Sequence, residues 1–268
     1  MGKSALTQTR GPFQADQLRS GDPYELSNGH PIQCLPTGGR GSRANLVGGS
    51  VLDSDPDVDS AGVDTGCSPE PGTLRAPDVA VGNVPDEPGW VRHAPPLAVE
   101  YADVGQDEDD LATKIGELFA AGTRIVWVVR LTGPRRVEIY EPEKPMRLAH
   151  QGDELHAPGI LRNPVPVAAL YDRETAHEVV LRNLLQRQGY SSLDEVKDSG
   201  RAEGLAEGEA RTLKADILDV LEARGLAVDD DFRAAVDSCN DQTVLRRWHR
   251  QAVTADSVAE ILSSDGEP

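Results

Sequence analysis

The sequence is poor in aromatic residues and in positive charge. Aromatic residues make up only 4% of the chain, so we expect Trp90, Tyr101 and Trp127 to serve in packing rather than as platforms on which nucleic-acid bases stack. Lys and Arg number 27 against 45 Asp and Glu. The formal net charge of −18 therefore argues against avid, nonspecific binding to nucleic acid.

Cysteines and long apolar runs are also scarce. The three cysteines, Cys34, Cys67 and Cys239, are far apart and odd in number, which predicts free thiols rather than a disulfide framework or a zinc site. No apolar run is long enough to span a bilayer, and no signal-peptide-like segment follows Met1. We therefore expect a cytoplasmic protein that does not contact a membrane.

Several common catalytic signatures are missing. The six histidines lack the spacing of metal ligands. The chain has no GxSxG elbow and no phosphate-binding glycine loop. Serine-hydrolase and nucleotide-binding chemistry are therefore not indicated.

The chain exceeds the length of one average domain, and its pattern changes along its length. Residues 1–20 are polar and unpatterned, which predicts a flexible tail. Residues 21–172 mix strand and helix patterns and are predicted to form an α/β core. Residues 173–268 show helical periodicity, interrupted by a connector rich in Gly and Glu near residues 200–210. They are predicted to form a small all-α region.

The stretch Pro77–Arg130 organises the predicted core. It reads as a strand, a second strand, a helix and a third strand. Asp78 opens the first strand and Glu100 closes the second. If these two strands pair antiparallel, the start of one lies beside the end of the other. The two carboxylates then meet at the same edge of the sheet.

The predicted helix adds a basic group to this edge. Leu111, Ile115 and Leu118 recur at helical spacing and are expected to face the sheet, and Lys114 lies on the same side. A helix rises only about 1.5 Å per residue, which places Lys114 about one to two turns from the carboxylates. Its long side chain is therefore predicted to reach them.

These segments resemble a known family. PDVAV, LAVEYAD, the helix with its lysine, AAGTRIVWVV, RRVEIYEP and the earlier YELSNGHPI are similar to the Uma2 family of endonucleases, within the PD-(D/E)XK superfamily. The resemblance covers most of Asp22–Tyr171. It implies a restriction-endonuclease-like mixed sheet flanked by helices, and metal-dependent hydrolysis of DNA phosphodiester bonds. It also implies that Asp78 and Glu100 hold the metal and that Lys114 is the catalytic lysine.

The ligands indicate which metal is expected. Two carboxylates and a backbone carbonyl, for which we favour that of Tyr101, are hard oxygen donors that suit Mg²⁺ or Mn²⁺. Lys114 would then orient the attacking water or the scissile phosphate. Six arginines are candidates for phosphate contacts, and as a group they could equally form surface ion pairs: Arg75, Arg92, Arg124, Arg130, Arg135 and Arg136.

A second hypothesis is a noncatalytic protein-interaction module with a nuclease-like fold. The family commonly follows the glutamate with Val-x-Ser, whereas Glu100 is followed here by Tyr101, Ala102 and Asp103. The helix that precedes the sheet in the family is also predicted to be short, at Ala44–Leu52. In either hypothesis, the C-terminal helices could mediate homo-oligomerisation or bind a protein partner.

Overall fold

A computed structural model describes residues 11–263. The chain divides into two compact units between Ser191 and Ser192. In the described range, no helix combines the length and the apolar character needed to cross a membrane.

The first unit is built on a six-stranded mixed sheet. Strands β5 (Leu97–Ala102) and β6 (Ile125–Arg130) are parallel, and the other neighbouring strands are antiparallel. A helix joins the parallel pair, because parallel strands need a crossover connection, which is usually helical. In spatial order the strands are β3 (Ala61–Val63), β4 (Val79–Val81), β5 (Leu97–Ala102), β6 (Ile125–Arg130), β7 (Arg136–Tyr140) and β8 (Arg147–His150).

Helices cover both faces of the sheet. Helices α1 (Gly39–Asp53) and α3 (Arg173–Arg187) pack on the face that carries Val99 and Tyr101, and α2 (Glu108–Ala120) packs on the face that carries Ala98 and Ala102. Because side chains alternate along a strand, Glu100 lies on the face covered by α2. The sequence-based prediction of a mixed sheet flanked by helices is confirmed.

A hairpin stands beside the sheet. Strands β1 (Tyr24–Ser27) and β2 (His30–Gln33) pair antiparallel around Asn28 and Gly29. Both turn residues have positive φ, which explains why Asn-Gly suits this tight turn. Two shorter strands, β9 (Glu154–Leu155) and β10 (Val165–Pro166), form a separate pair near the end of the unit.

The structure corrects the predicted N-terminal tail. Residues 11–20 are not loose, because Phe13, Ala15 and Leu18 are buried against Leu26 and Leu74 in a small apolar cluster. A 3₁₀ helix at residues 15–17 holds them there. The first ten residues of the predicted tail lie outside the described residues.

Two other predicted boundaries also differ. Helix α1 has 15 residues, rather than the short helix predicted at Ala44–Leu52. The core does not end at residue 172, because Ala176 and Val179 of α3 belong to the same apolar core as the sheet.

The second unit is all-α. Its apolar core includes Ile217, Leu221, Phe232, Leu245 and Trp248. The segment near residues 200–210 lies within one continuous helix, α4. Within residues 192–263 its helices are α4 (Leu193–Ala223), α5 (Asp230–Ser238), α6 (Gln242–Thr254) and α7 (Val258–Ser263).

Candidate active site

The register of β4 and β5 brings the two predicted acids together. Val79 pairs with Val99 in the antiparallel ladder. Asp78 precedes Val79 and Glu100 follows Val99, so the same register places Asp78 beside Glu100. This is the geometry on which the sequence argument depends.

Asp78 is held by two hydrogen bonds. The backbone N–H of Tyr101 donates to Oδ2 of Asp78 at 2.6 Å, and Nδ2 of Asn45 on α1 donates to Oδ1 at 3.1 Å. The half-buried carboxylate is thus fixed against the end of β5. Asn45 gave no signal in the sequence, because its role depends on how α1 packs on the sheet.

Lys114 reaches Glu100 from α2. Its Nζ lies 2.9 Å from Oε1 and 3.1 Å from Oε2 of Glu100, and it donates to the backbone carbonyl of Ala76 at 2.8 Å. Both side chains are largely buried, with 12% of Lys114 and 10% of Glu100 exposed. The structure therefore brings the predicted lysine and glutamate into direct contact.

Glu25 is a third acid at this site, and it is not among the site residues predicted from the sequence. Its Oε1 lies 3.1 Å from Nζ of Lys114, and the side chain is buried in β1. The signal was present in the motif YELSNGHPI, where an acid stands beside apolar Leu26. Only the packing of the hairpin against α2 shows that this acid points inward.

Charge and burial act in opposite directions on this lysine and glutamate. Burial raises the pKa of Glu100 to about 8, the positive charge of Lys114 offsets part of that effect, and Asp78 adds to it. Burial alone would lower the pKa of Lys114, but the carboxylates of Glu100 and Glu25 outweigh it and raise that pKa. The lysine therefore stays charged over the whole physiological range.

Most of the predicted phosphate-binding arginines have other partners. Arg75 is only 2% exposed and bonds to Glu25 and Glu117, so its predicted role as a phosphate contact is wrong. The alternative, in which these arginines form ion pairs, fits better. Arg130 pairs with Glu108 and Glu138, and Arg136 lies near Glu138. Arg135 stacks over the ring of Tyr171, and Arg124 donates to the carbonyl of Gly159.

Asp103, which departs from the family pattern, is tied to α1. Its carboxylate accepts a hydrogen bond from Nε of Arg40 at 2.9 Å and pairs with the rest of that guanidinium. The bond to Arg40 holds the pKa of Asp103 below its usual range. In this structure Asp103 thus has its own partner.

The site opens into a cleft of about 380 Å³. The hairpin, the loop before β4 and helix α2 all contribute to its walls. Its polar lining includes Tyr24, Glu25, Asp64, Asp78, Trp90 and Lys114.

The residues present suit a divalent cation held partly by water. Oε1 of Glu100 is buried and receives no well-formed hydrogen bond from any described residue, even though Nζ of Lys114 is close. Within residues 11–263, no three His, Cys, Asp or Glu side chains are arranged to bind a metal ion. Mg²⁺ does not need three protein side chains, because it is commonly held by one or two carboxylates and several waters.

The mixed sheet flanked by helices is a nuclease-like fold. It resembles a crystal structure from Anabaena variabilis ATCC 29413, titled "a putative nuclease belonging to DUF820", with a TM-score of 0.51 and 16% identity. That match covers 62% of this chain and 99% of the other.

The Uma2 family model, described as "Putative restriction endonuclease", matches residues 13–167. The chain belongs to the Uma2 family. No curated protein matches it.

Proposed function

We propose that this protein is a divalent-metal-dependent endonuclease that hydrolyses phosphodiester bonds in DNA. The observation that carries the proposal is the convergence of Asp78, Glu100 and Lys114, of which Asp78 and Lys114 line one cleft. Membership of the Uma2 family supports the same reaction class.

In this proposal Asp78, Glu100 and the backbone carbonyl of Tyr101 hold Mg²⁺ or Mn²⁺. The N–H of Tyr101 bonds to Asp78. The N–H and C=O of one strand residue point to the same side, so the carbonyl is expected on the side of Asp78. All the donors are hard oxygens.

In the reaction a water oxygen forms a bond to phosphorus and loses a proton, while the bond between phosphorus and one ester oxygen breaks and that oxygen leaves as a hydroxyl after taking up a proton. When bound, the cation supplies Lewis-acid stabilisation of the phosphate and lowers the pKa of a water molecule. The ammonium of Lys114 donates hydrogen bonds to the attacking water or to a phosphate oxygen, where negative charge develops. Asn45 keeps Asp78 oriented.

A noncatalytic interaction module is the second candidate. The pairing of Arg75, Arg130 and Arg136 with carboxylates favours it, because few of the predicted arginines are then left for phosphate. The net charge of −18 acts in the same direction. In that case, the helices of the second unit would bind a protein partner or another copy of the chain.

Cleavage of supercoiled plasmid and of single-stranded DNA, at low salt with Mg²⁺ or Mn²⁺, tests the proposal. We expect metal-dependent cleavage that EDTA stops and that Asp78→Asn and Glu100→Gln abolish. Lys114→Ala should lose about 10²- to 10³-fold in rate, as when one electrostatic donor is removed.

Glu138→Gln is a matched control. Glu138 is another buried carboxylate with an arginine partner, and it lies two strands from Glu100. The Glu138→Gln variant should cleave DNA at the wild-type rate. Cleavage that survives in both acid variants would contradict the assignment of Asp78 and Glu100, and a wild type that neither cleaves nor responds to metal would favour the interaction module.

A further inference from the structure

We infer that Glu25 and Arg75 position Lys114, so that this lysine keeps its place when a cation binds to Glu100. The inference rests on the proposed function and adds two residues to it. Neither residue is proposed as a metal ligand.

Glu25 shares its carboxylate between two buried cations. One oxygen lies 3.1 Å from Nζ of Lys114, and the other accepts a hydrogen bond from Nη1 of Arg75 at 3.0 Å. Only 10% of the Glu25 side chain and 2% of the Arg75 side chain are exposed. Water therefore screens these contacts weakly.

Arg75 is itself anchored on its other side. Its Nε bonds to Glu117, which also accepts a hydrogen bond from the hydroxyl of Ser27. Glu117 and Lys114 stand one turn apart on α2, while Glu25 and Ser27 stand two positions apart on β1. The guanidinium thus joins the hairpin to the helix, directly beside the lysine.

This arrangement has a consequence when a cation is present. In the structure Lys114 contacts two acids, Glu100 and Glu25, and the carbonyl of Ala76. A cation held by Glu100 would compete for that carboxylate and repel the ammonium. Glu25 is then the acid that retains Lys114. Because Arg75 occupies the second oxygen of Glu25, this carboxylate stays turned toward the lysine.

The isosteric variant Glu25→Gln carries the test, with Glu138→Gln as the matched buried control. In plasmid cleavage with Mn²⁺, Glu25→Gln should lower kcat about 10- to 100-fold, as loss of a supporting contact commonly does. KM and the melting shift caused by Mn²⁺ should stay at wild-type values. Wild-type kcat in Glu25→Gln would overturn the inference.

A double-mutant cycle separates positioning from general damage to the fold. In the Lys114→Ala background, Glu25→Gln should cost less than about twofold in kcat, because the residue it supports is already gone. Arg75→Lys keeps the charge but not the forked geometry, so it should show a smaller loss that also disappears in this background. If the losses in kcat instead multiplied in the double variants, Glu25 and Arg75 would act independently of Lys114.

A readout that does not need activity keeps the two proposals distinct. The ammonium signal of Lys114 in a ¹H–¹⁵N spectrum of the full chain, assigned through its loss in Lys114→Ala, should shift in Glu25→Gln and not in Glu138→Gln. An unchanged signal in Glu25→Gln overturns the inference whether or not the protein cleaves DNA. A wild type without cleavage contradicts the proposed function alone.

Discussion

The backbone N–H of Tyr101 donates to Oδ2 of Asp78 at 2.6 Å. The backbone ladder between β4 and β5 ends at the pair Val79 and Val99. Beyond that pair, this bond continues the contact between the two strands through the side chain of Asp78. The carboxylate of Asp78 is therefore held beside Glu100 before any cation is present. Such preorganisation lowers the cost of assembling a site from two strands.

The first prediction concerns the metal response of the fold. A cation that binds only the folded protein stabilises it by about 2.7 kcal/mol at 100 times its dissociation constant. Melting curves with and without Mn²⁺ should show this gain in the wild type and in Lys114→Ala, but not in Asp78→Asn or Glu100→Gln. Equal shifts in the wild type and in both acid variants would place the cation elsewhere on this acidic surface.

The second prediction is a pH dependence set by Glu100. Burial raises its pKa to about 8 from an ordinary value of 4.5. Between these values the folded protein keeps a proton that the unfolded chain has lost, so the free energy of unfolding falls as pH rises. The slope from this one group is at most about 1.4 kcal/mol per pH unit.

Urea unfolding from pH 5 to pH 9 in EDTA should therefore show a steeper loss of stability in the wild type than in Glu100→Gln. Parallel profiles would contradict a raised pKa at Glu100. Because a cation needs the ionised carboxylate, the affinity for Mn²⁺ should also rise with pH and level off above about pH 8.

The third prediction tests the close approach of α1 to β5. A β-carbon on Gly48 would overlap the hydroxyl of Tyr101, which donates to the carbonyl of Leu170. Gly48→Ala should therefore lower the free energy of unfolding by about 1–3 kcal/mol through overpacking. Adding Tyr101→Phe should recover part of this loss in thermal or urea unfolding, because the overlapping hydroxyl is gone.

Gly49→Ala is the neighbouring control. A β-carbon there would come no closer than 3.4 Å, to a methyl group of Val63. It should be tolerated, and it gains up to about 1 kcal/mol of helix propensity. If Gly48→Ala were as stable as Gly49→Ala, the helix would not approach Tyr101 as described.

The fourth prediction concerns where the first unit ends. A chain of residues 1–191 should unfold in one cooperative transition, whereas a chain of residues 1–172 should not. The shorter chain lacks α3, whose Asn183 bonds to Ser54 and Asn163, and whose Arg187 donates to backbone carbonyls after α1. Circular dichroism during heating distinguishes the two chains. A cooperative transition in the shorter chain would show that α3 is dispensable.

Local pattern determined much of this protein. Alternating and helical periodicities predict the order of strands and helix from β4 to β6. The facing of Asp78 and Glu100 also follows from sequence, because antiparallel pairing converts chain order into proximity. Lys114 joins them because helical spacing fixes which side chains share the face of Leu111 and Leu118.

Tertiary packing decided the rest. Glu25, Asn45 and Arg75 come from three separate segments, and no periodicity links them to Lys114 or Asp78. Arg75 resembles a surface cation in the sequence, yet it is buried because two carboxylates, Glu25 and Glu117, converge on it. Contacts between side chains far apart in sequence depend on how helices and hairpins dock, and that docking is a property of the whole core rather than of any one segment.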